Sequence, residues 1–210
     1  MQAIEIDLRG TSDGAVVIMH DPTLERTTDG HGSVSDHSLA ELKVLDAGGG
    51  ERIPEYEEVL QCVRGSGVAL LLDIKESERL DSAGVVRLTE RYNAVLNVIV
   101  GARRVEDVRL FKKLNPNLRV LGFIGKPGEI DAFVEAGADI IRLWPEWIRE
   151  DPALIARVHA CGRPVWTTAG DADAEELRTL MGQGVDGILS DYPELLKEVA
   201  QSPADAAMNP

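Results

Sequence analysis

The chain has 210 residues, 44% of them hydrophobic and only 4% aromatic, with a formal charge of −14. That length suits one domain, or one domain with an insertion, whose core needs neither disulfides nor a structural metal. The acidic balance argues against broad attraction to nucleic acid or anionic membranes, while leaving room for a local basic pocket. Cys62 and Cys161 are too few and too far apart for a disulfide framework or a zinc knuckle. No apolar run reaches the ~20 residues of a membrane span. The opening Met1-Gln2-Ala3-Ile4-Glu5 carries no signal-peptide pattern, so a cytoplasmic protein is expected.

In chain order, Ala3–Asp7 reads as a strand, joined by a Ser12-Asp13-Gly14 turn to a short strand over Val16–Met19. Asp21–Gly50 is rich in Thr, Asp, Ser, His and Gly without sustained periodicity. It reads as an insertion, over about 21–52, ahead of a helix near Pro54–Val63. Val68–Lys75 begins with a continuous apolar run, as in a strand buried on both faces. Strands and helices then alternate. A helix over Ala83–Tyr92 precedes a strand over Val95–Val100, and Val105, Val108, Phe111 and Leu114 recur every third residue as one helix face. Val120–Ile124 (strand), Glu129–Ala136 (helix), Ile140–Leu143 (strand) and Pro152–Ala160 (helix, with Asp151 as cap) continue the pattern. Val165–Thr168, Ala174–Met181, Ile188–Leu189 and Pro193–Ala200 complete it as strand, helix, strand and helix.

A weak repeat places Gly137, Gly162 and Gly184 just before successive strands, each expected to end a helix in the left-handed conformation. Such alternation indicates βα units on a parallel sheet. Units this short fit a (β/α) barrel better than an elaborate doubly wound sheet, although composition does not separate the two. Without the short Val16–Met19 segment the count is seven strands, one fewer than a closed barrel of eight, which typically takes ~250 residues. The domain is expected to span 1–200, with 201–210 a disordered tail.

Glu5 and Asp7 lie two apart on a strand and point to one face. Inward acids at the C-terminal end of a barrel strand would repel one another unless a cation sat between them, and a hard ion such as Mg²⁺ or Ca²⁺ suits an all-oxygen site. Two solvated acids at a strand edge fit the spacing equally well. Asp73 ends the next buried strand and Lys75 follows on the same face, as a third ligand and a phosphate-binding cation or as an ordinary salt bridge. His20 closes the Val16–Met19 strand, where it could act as a general acid or base; alone, a histidine there is more often a surface residue. His31, His37 and His159 join no constellation. The glycines at 30, 32 and 48–50 form no strand–GxGxxG–helix unit, which excludes a dinucleotide site. Trp144, Trp147 and Trp166 could line a pocket, Trp166 best of the three because it lies near the end of a strand. No Ser or Cys sits in a nucleophile elbow.

Together, Glu5-Ile6-Asp7-Leu8, Thr11-Ser12-Asp13-Gly14, Val16-Val17-Ile18-Met19-His20-Asp21 and Leu24-Glu25-Arg26-Thr27-Thr28-Asp29-Gly30 resemble the glycerophosphodiester phosphodiesterase family. The likeness continues through Leu45-Asp46, Ile53-Pro54, Glu57-Glu58-Val59-Leu60, Asp73-Ile74-Lys75, Val165-Trp166-Thr167, Val185-Asp186-Gly187-Ile188 and Ser190-Asp191-Tyr192-Pro193. The resemblance implies a TIM-type (β/α)8 barrel with a small insertion, and hydrolysis of glycerophosphodiesters to glycerol 3-phosphate and an alcohol in lipid and glycerol metabolism. It implies a divalent metal, Mg²⁺ or Ca²⁺, on Glu5, Asp7 and Asp73. The last is one methylene shorter than the glutamate usual there. It also implies His20 as a catalytic histidine, Lys75 as a substrate contact and Trp166 at the substrate pocket.

The family pattern opens with a His-Arg-Gly strand and a helix that precede the Glu-x-Asp strand. Neither is found here, so the resemblance implies a barrel without its first βα unit. An open strand edge, which a homo-oligomer could cover, would follow. Losing one proton-transfer partner costs on the order of 10²–10⁴ in rate. Two other functions stay open at this point: a non-catalytic relative that binds a phosphodiester or metal, and a related barrel phospholipase of the sphingomyelinase D type. A small-molecule partner is expected in each case, not nucleic acid.

Overall fold

In the computed structural model, which describes residues 3–201, the first strand β1 (Ala3–Gly10) runs three residues longer than its apolar alternation suggests. The extension, Leu8 to Gly10, pairs antiparallel with β2 (Val16–Ile18) across the turn at Gly14. The segment that follows carries one short helix, α1 (Leu39–Leu42), and α2 (Tyr56–Val63) comes after it. The regular alternation then begins with β3 (Ala69–Ile74), α3 (Ser82–Arg91), β4 (Val98–Ala102), α4 (Val105–Leu114) and β5 (Arg119–Gly122). It goes on through α5 (Ile130–Glu135), β6 (Ile140–Leu143), α6 (Pro145–Glu150), α7 (Ala153–Ala160), β7 (Val165–Gly170), α8 (Ala174–Gly182), β8 (Gly187–Ser190) and α9 (Pro193–Gln201). This is the α/β class expected, with seven strands beyond the short β2. The expected tail at 202–210 lies outside the described residues, and Gln201 belongs to the last helix.

Two compact units divide the chain, Met1–Leu121 and Gly122–Pro210. In the first, the strand order is β2-β1-β3-β4-β5, with β1, β3 and β4 parallel. All of β3 is buried, which its unbroken apolar run requires. The strand expected over Val95–Val100 starts three residues late. Asn93 takes a left-handed conformation (φ 55°), Val95–Asn97 forms a 3₁₀ turn, and Leu96 is left exposed. Asn97 breaks the apolar run, so only the β-branched stretch after it enters the sheet.

The insertion owes its order to a small core of its own, not to periodic elements. Leu24, Val34, Leu42 and Ile53 pack with Val17 and Met19 of the β2 segment. Its helix α1 is held by a capping box, in which the Ser38 hydroxyl accepts from the Glu41 N–H and the Glu41 carboxylate accepts from the Ser38 N–H.

In the second unit β6, β7 and β8 are parallel neighbours. The three repeat glycines behave as expected. Gly137, Gly162 and Gly184 have φ of 105°, 70° and 93°. After each, the next N–H reaches back to a carbonyl five residues earlier: Ala138 to Phe133, Arg163 to Val158 and Val185 to Leu180. The Asp151 and Asp173 carboxylates accept N–H groups at the starts of α7 and α8. Helix α6, six residues long, differs from the sequence expectation of no helix between β6 and α7; Pro145 opens it at its first position, where the missing N–H costs nothing.

Candidate active site

The register of β1 on β3 sets Asp7 beside Asp73 and Glu5 beside Leu71, so Glu5, Asp7 and Asp73 share one face, with Asp73 near the C-terminal end of β3 and Glu5 one step back along β1. One carboxylate oxygen from each lies within 4.8 Å of the other two. Lys75, just past β3, reaches back between two of them. Its Nζ lies 2.8 Å from Asp7 Oδ1 and 2.6 Å from Asp73 Oδ2. Burial by itself would lower the Lys75 pKa; its contacts with Asp7 and Asp73 outweigh that and raise it. The lysine therefore stays charged.

Glu5 stands differently. Partial burial of its carboxyl, with Asp7 and Asp73 as negative neighbours, pushes its pKa up to about 7 despite Lys75. The cluster thus holds more negative charge than Lys75 relieves, and its donors are hard oxygens close enough to share one ion. These residues fit a divalent cation of the Mg²⁺ or Ca²⁺ type, which would supply the missing charge.

A second cation, Arg103, meets Asp73 from the end of β4. Arg103 Nη2 donates to Asp73 Oδ2 (2.6 Å) and Nε to Oδ1 (3.2 Å). Sequence reading missed this residue. The available signal was its position directly after a buried strand, Val98–Ala102, that neighbours β3.

His20 lies just beyond β2, at the same end of β1 as Asp7; the preceding Met19 N–H donates to the Asp7 carbonyl at 3.0 Å. Its backbone carbonyl accepts both Nε (3.1 Å) and Nη2 (2.7 Å) of Arg9, a buried arginine that also pairs with Glu76 at 3.1 Å. The His20 ring is exposed, with Nδ1 2.7 Å from Asp21 Oδ1. Hydrogen bonds from Arg26 and then from His20 hold the Asp21 carboxyl well below the usual carboxylate range. An ionised Asp21 only accepts, so Nδ1 carries the proton when the ring is neutral. Nε2 is then left with the lone pair that a general base needs.

The remaining candidate positions belong each to its own unit. Trp166 sits on β7 in the second unit, in register with Arg142 on β6 and Gly187 on β8. A Cβ at Gly187 would lie 2.6 Å from the Trp166 Nε1, so the indole occupies the space which the missing side chain leaves. Arg142 is buried, with its guanidinium carbon 3.6 Å from the Trp144 ring centroid and 5.3 Å from that of Phe123. His37 and His159 have structural partners, the Ser33 carbonyl and the Asp186 carboxylate. No helix among the described residues is long and apolar enough to cross a membrane.

The sequence profile of the glycerophosphoryl diester phosphodiesterase family matches residues 1–195. A glycerophosphodiester phosphodiesterase of Caldanaerobacter subterraneus subsp. tengcongensis is 30% identical over 204 residues, covering 92% of this chain and 83% of that protein. Among solved structures, an Oleispira antarctica phosphodiesterase in complex with the product sn-glycerol-3-phosphate superposes with a TM-score of 0.86 at 25% identity, covering 96% of this chain and 86% of the other. A glycerophosphodiester phosphodiesterase from Agrobacterium tumefaciens gives 0.81 at 26% identity, over 94% and 87% of the two chains. The profile match over most of the chain and the 30% identical relative show the same thing: this chain belongs to the glycerophosphoryl diester phosphodiesterase family.

Proposed function

We propose that the chain hydrolyses glycerophosphodiesters to glycerol 3-phosphate and an alcohol at the Glu5–Asp7–Asp73 cluster, with Mg²⁺ or Ca²⁺ as cofactor. The observation that carries this reading is the convergence of three carboxylate oxygens within 4.8 Å, at the end of β1 that also bears the His20 segment. A divalent ion held there would offset phosphate charge and make a bound hydroxyl more acidic. Glu5, Asp7 and Asp73 hold and orient it. Lys75, fixed by two carboxylates, supplies positive charge for the phosphate as negative charge builds in the transition state. His20 takes or returns a proton at Nε2, while Asp21 and Arg26 fix the ring's tautomer. Trp166 is proposed as a substrate contact from its place in the family pattern.

We also propose self-association along β1. Its pairing with β2 covers only Leu8 to Gly10, and Ile4 is 51% exposed.

The test is release of glycerol 3-phosphate from glycerophosphocholine with Mg²⁺, Ca²⁺ or chelator, beside His20→Ala. Metal-dependent turnover lost in the variant supports the reading. A folded chain that binds the ion and the diester without turnover would instead make it a binding protein.

A further inference from the structure

The short third carboxylate raises a geometric problem that Arg103 solves. Asp73 stands where a glutamate would reach further, and an aspartate carboxylate turns freely about χ2 unless something fixes its plane. Lys75 does not fix it, since an ammonium on a flexible stem acts as a point charge. A guanidinium fork does. Arg103 grips both oxygens of Asp73, with Nε on Oδ1 and Nη2 on Oδ2. Lys75 Nζ also sits on Oδ2, so two charged donors fill that oxygen while Oδ1 takes one. The oxygen with a lone pair left for a cation is therefore Oδ1.

We infer that Arg103 is a positioning residue, whose bidentate grip sets the plane of Asp73 so that Oδ1 completes the three-carboxylate cation site. This rests on the proposed reading of that cluster as a divalent-metal site. The position of Arg103 suits the role. It follows the last residue of β4, the strand paired with β3, so the guanidinium arrives from the neighbouring strand end.

The inference opposes simple charge counting. Arg103 adds positive charge a few ångströms from the site. If charge were its only effect, Arg103→Met would bind a cation more tightly and Arg103→Lys would match the wild type. Positioning predicts the reverse order, because lysine keeps the charge and loses the fork.

The experiment is Mn²⁺ titration by calorimetry on the full chain and on Arg103→Lys, Arg103→Met and Arg103→Met/Asp73→Glu, with circular dichroism to confirm folding. Both single variants should bind Mn²⁺ about tenfold or more weakly, the usual scale for losing a group that orients a ligand. The double variant should regain most of the affinity, because the longer glutamate reaches the ion without the fork. Wild-type affinity in Arg103→Lys, tighter binding in Arg103→Met, or no recovery in the double variant would overturn the inference. Should Arg103→Met fail to fold, Arg103→Lys alone decides. A wild-type chain that binds no Mn²⁺ would remove the metal-site reading and this inference with it. Wild-type affinity kept in both single variants would remove the inference alone.

Discussion

Lys75→Met separates what the lysine does for the fold from what it does for cation binding. Lys75 bridges Asp7 and Asp73 at 2.8 and 2.6 Å, and the side chains are 16%, 17% and 5% exposed in that order. Breaking a buried pair by removing one partner costs about 3–5 kcal/mol, because the surviving charge is left without compensation. Here Arg103 still holds Asp73, so the loss is set lower, at about 2–3 kcal/mol. For a chain of this size that is a fall in Tm of roughly 4–12 °C. Saturating Mg²⁺ should recover much of it, since a cation among Glu5, Asp7 and Asp73 replaces the lost charge and binds the native state alone. The assay is thermal unfolding of wild type and variant, each in chelator and in Mg²⁺. The reasoning fails if the two melt together in chelator, or if Mg²⁺ stabilises the variant no more than the wild type.

Glu5 keeps its proton up to about pH 7 in the native chain and only to about 4.5 when unfolded, so the native state binds more protons between these values. Metal-free stability should therefore fall as pH rises from about 4.5 to 7, and Glu5→Gln should flatten that slope in urea unfolding; an unchanged slope would place its origin elsewhere. His20→Ala should lower kcat by about 10²–10⁴ with the cluster's Mn²⁺ affinity intact, and a kcat within a few-fold of wild type would assign proton transfer to another group. Asp21→Asn should lower kcat as well, because an amide can donate to Nδ1 as well as accept from it and no longer enforces the tautomer that leaves Nε2 unprotonated; equal rates would show that the tautomer is fixed without the carboxylate. Gly162→Ala places a Cβ in open space at φ 70°, so only backbone strain is at stake. A loss of about 1 kcal/mol is expected in thermal unfolding, and none would refute the left-handed stop.

The parallel strands were legible because a strand buried on both faces is largely apolar, as β3 is up to Asp73, and because the helix-ending glycines punctuate the chain. Glu5, Asp7, Asp73 and Lys75 were legible by the period of two within each strand. Which of them meet across strands depends on register, and that follows from the fold. Arg103 was invisible for the same reason, being 30 residues from the carboxylate it grips. The Asp21–Arg26 pair hides in a stretch without periodicity, and α1 and α6 are too short to show a face. Val95–Val100 resembles one strand by apolarity alone, but Asn97 divides it and leaves Val95–Asn97 as a turn.

Gly187 gives the second unit an adjustable seat. Its neighbour Trp166 rests where a side chain would stand, so the size of the residue at position 187 acts as a dial on the tilt of the indole. Alanine there would press the ring aside by a few tenths of an ångström or more, and a larger residue would evict it. A single codon on β8 is therefore enough to reset the indole, with the backbone of β7 and the pairing of Trp166 to Gly187 left as they are.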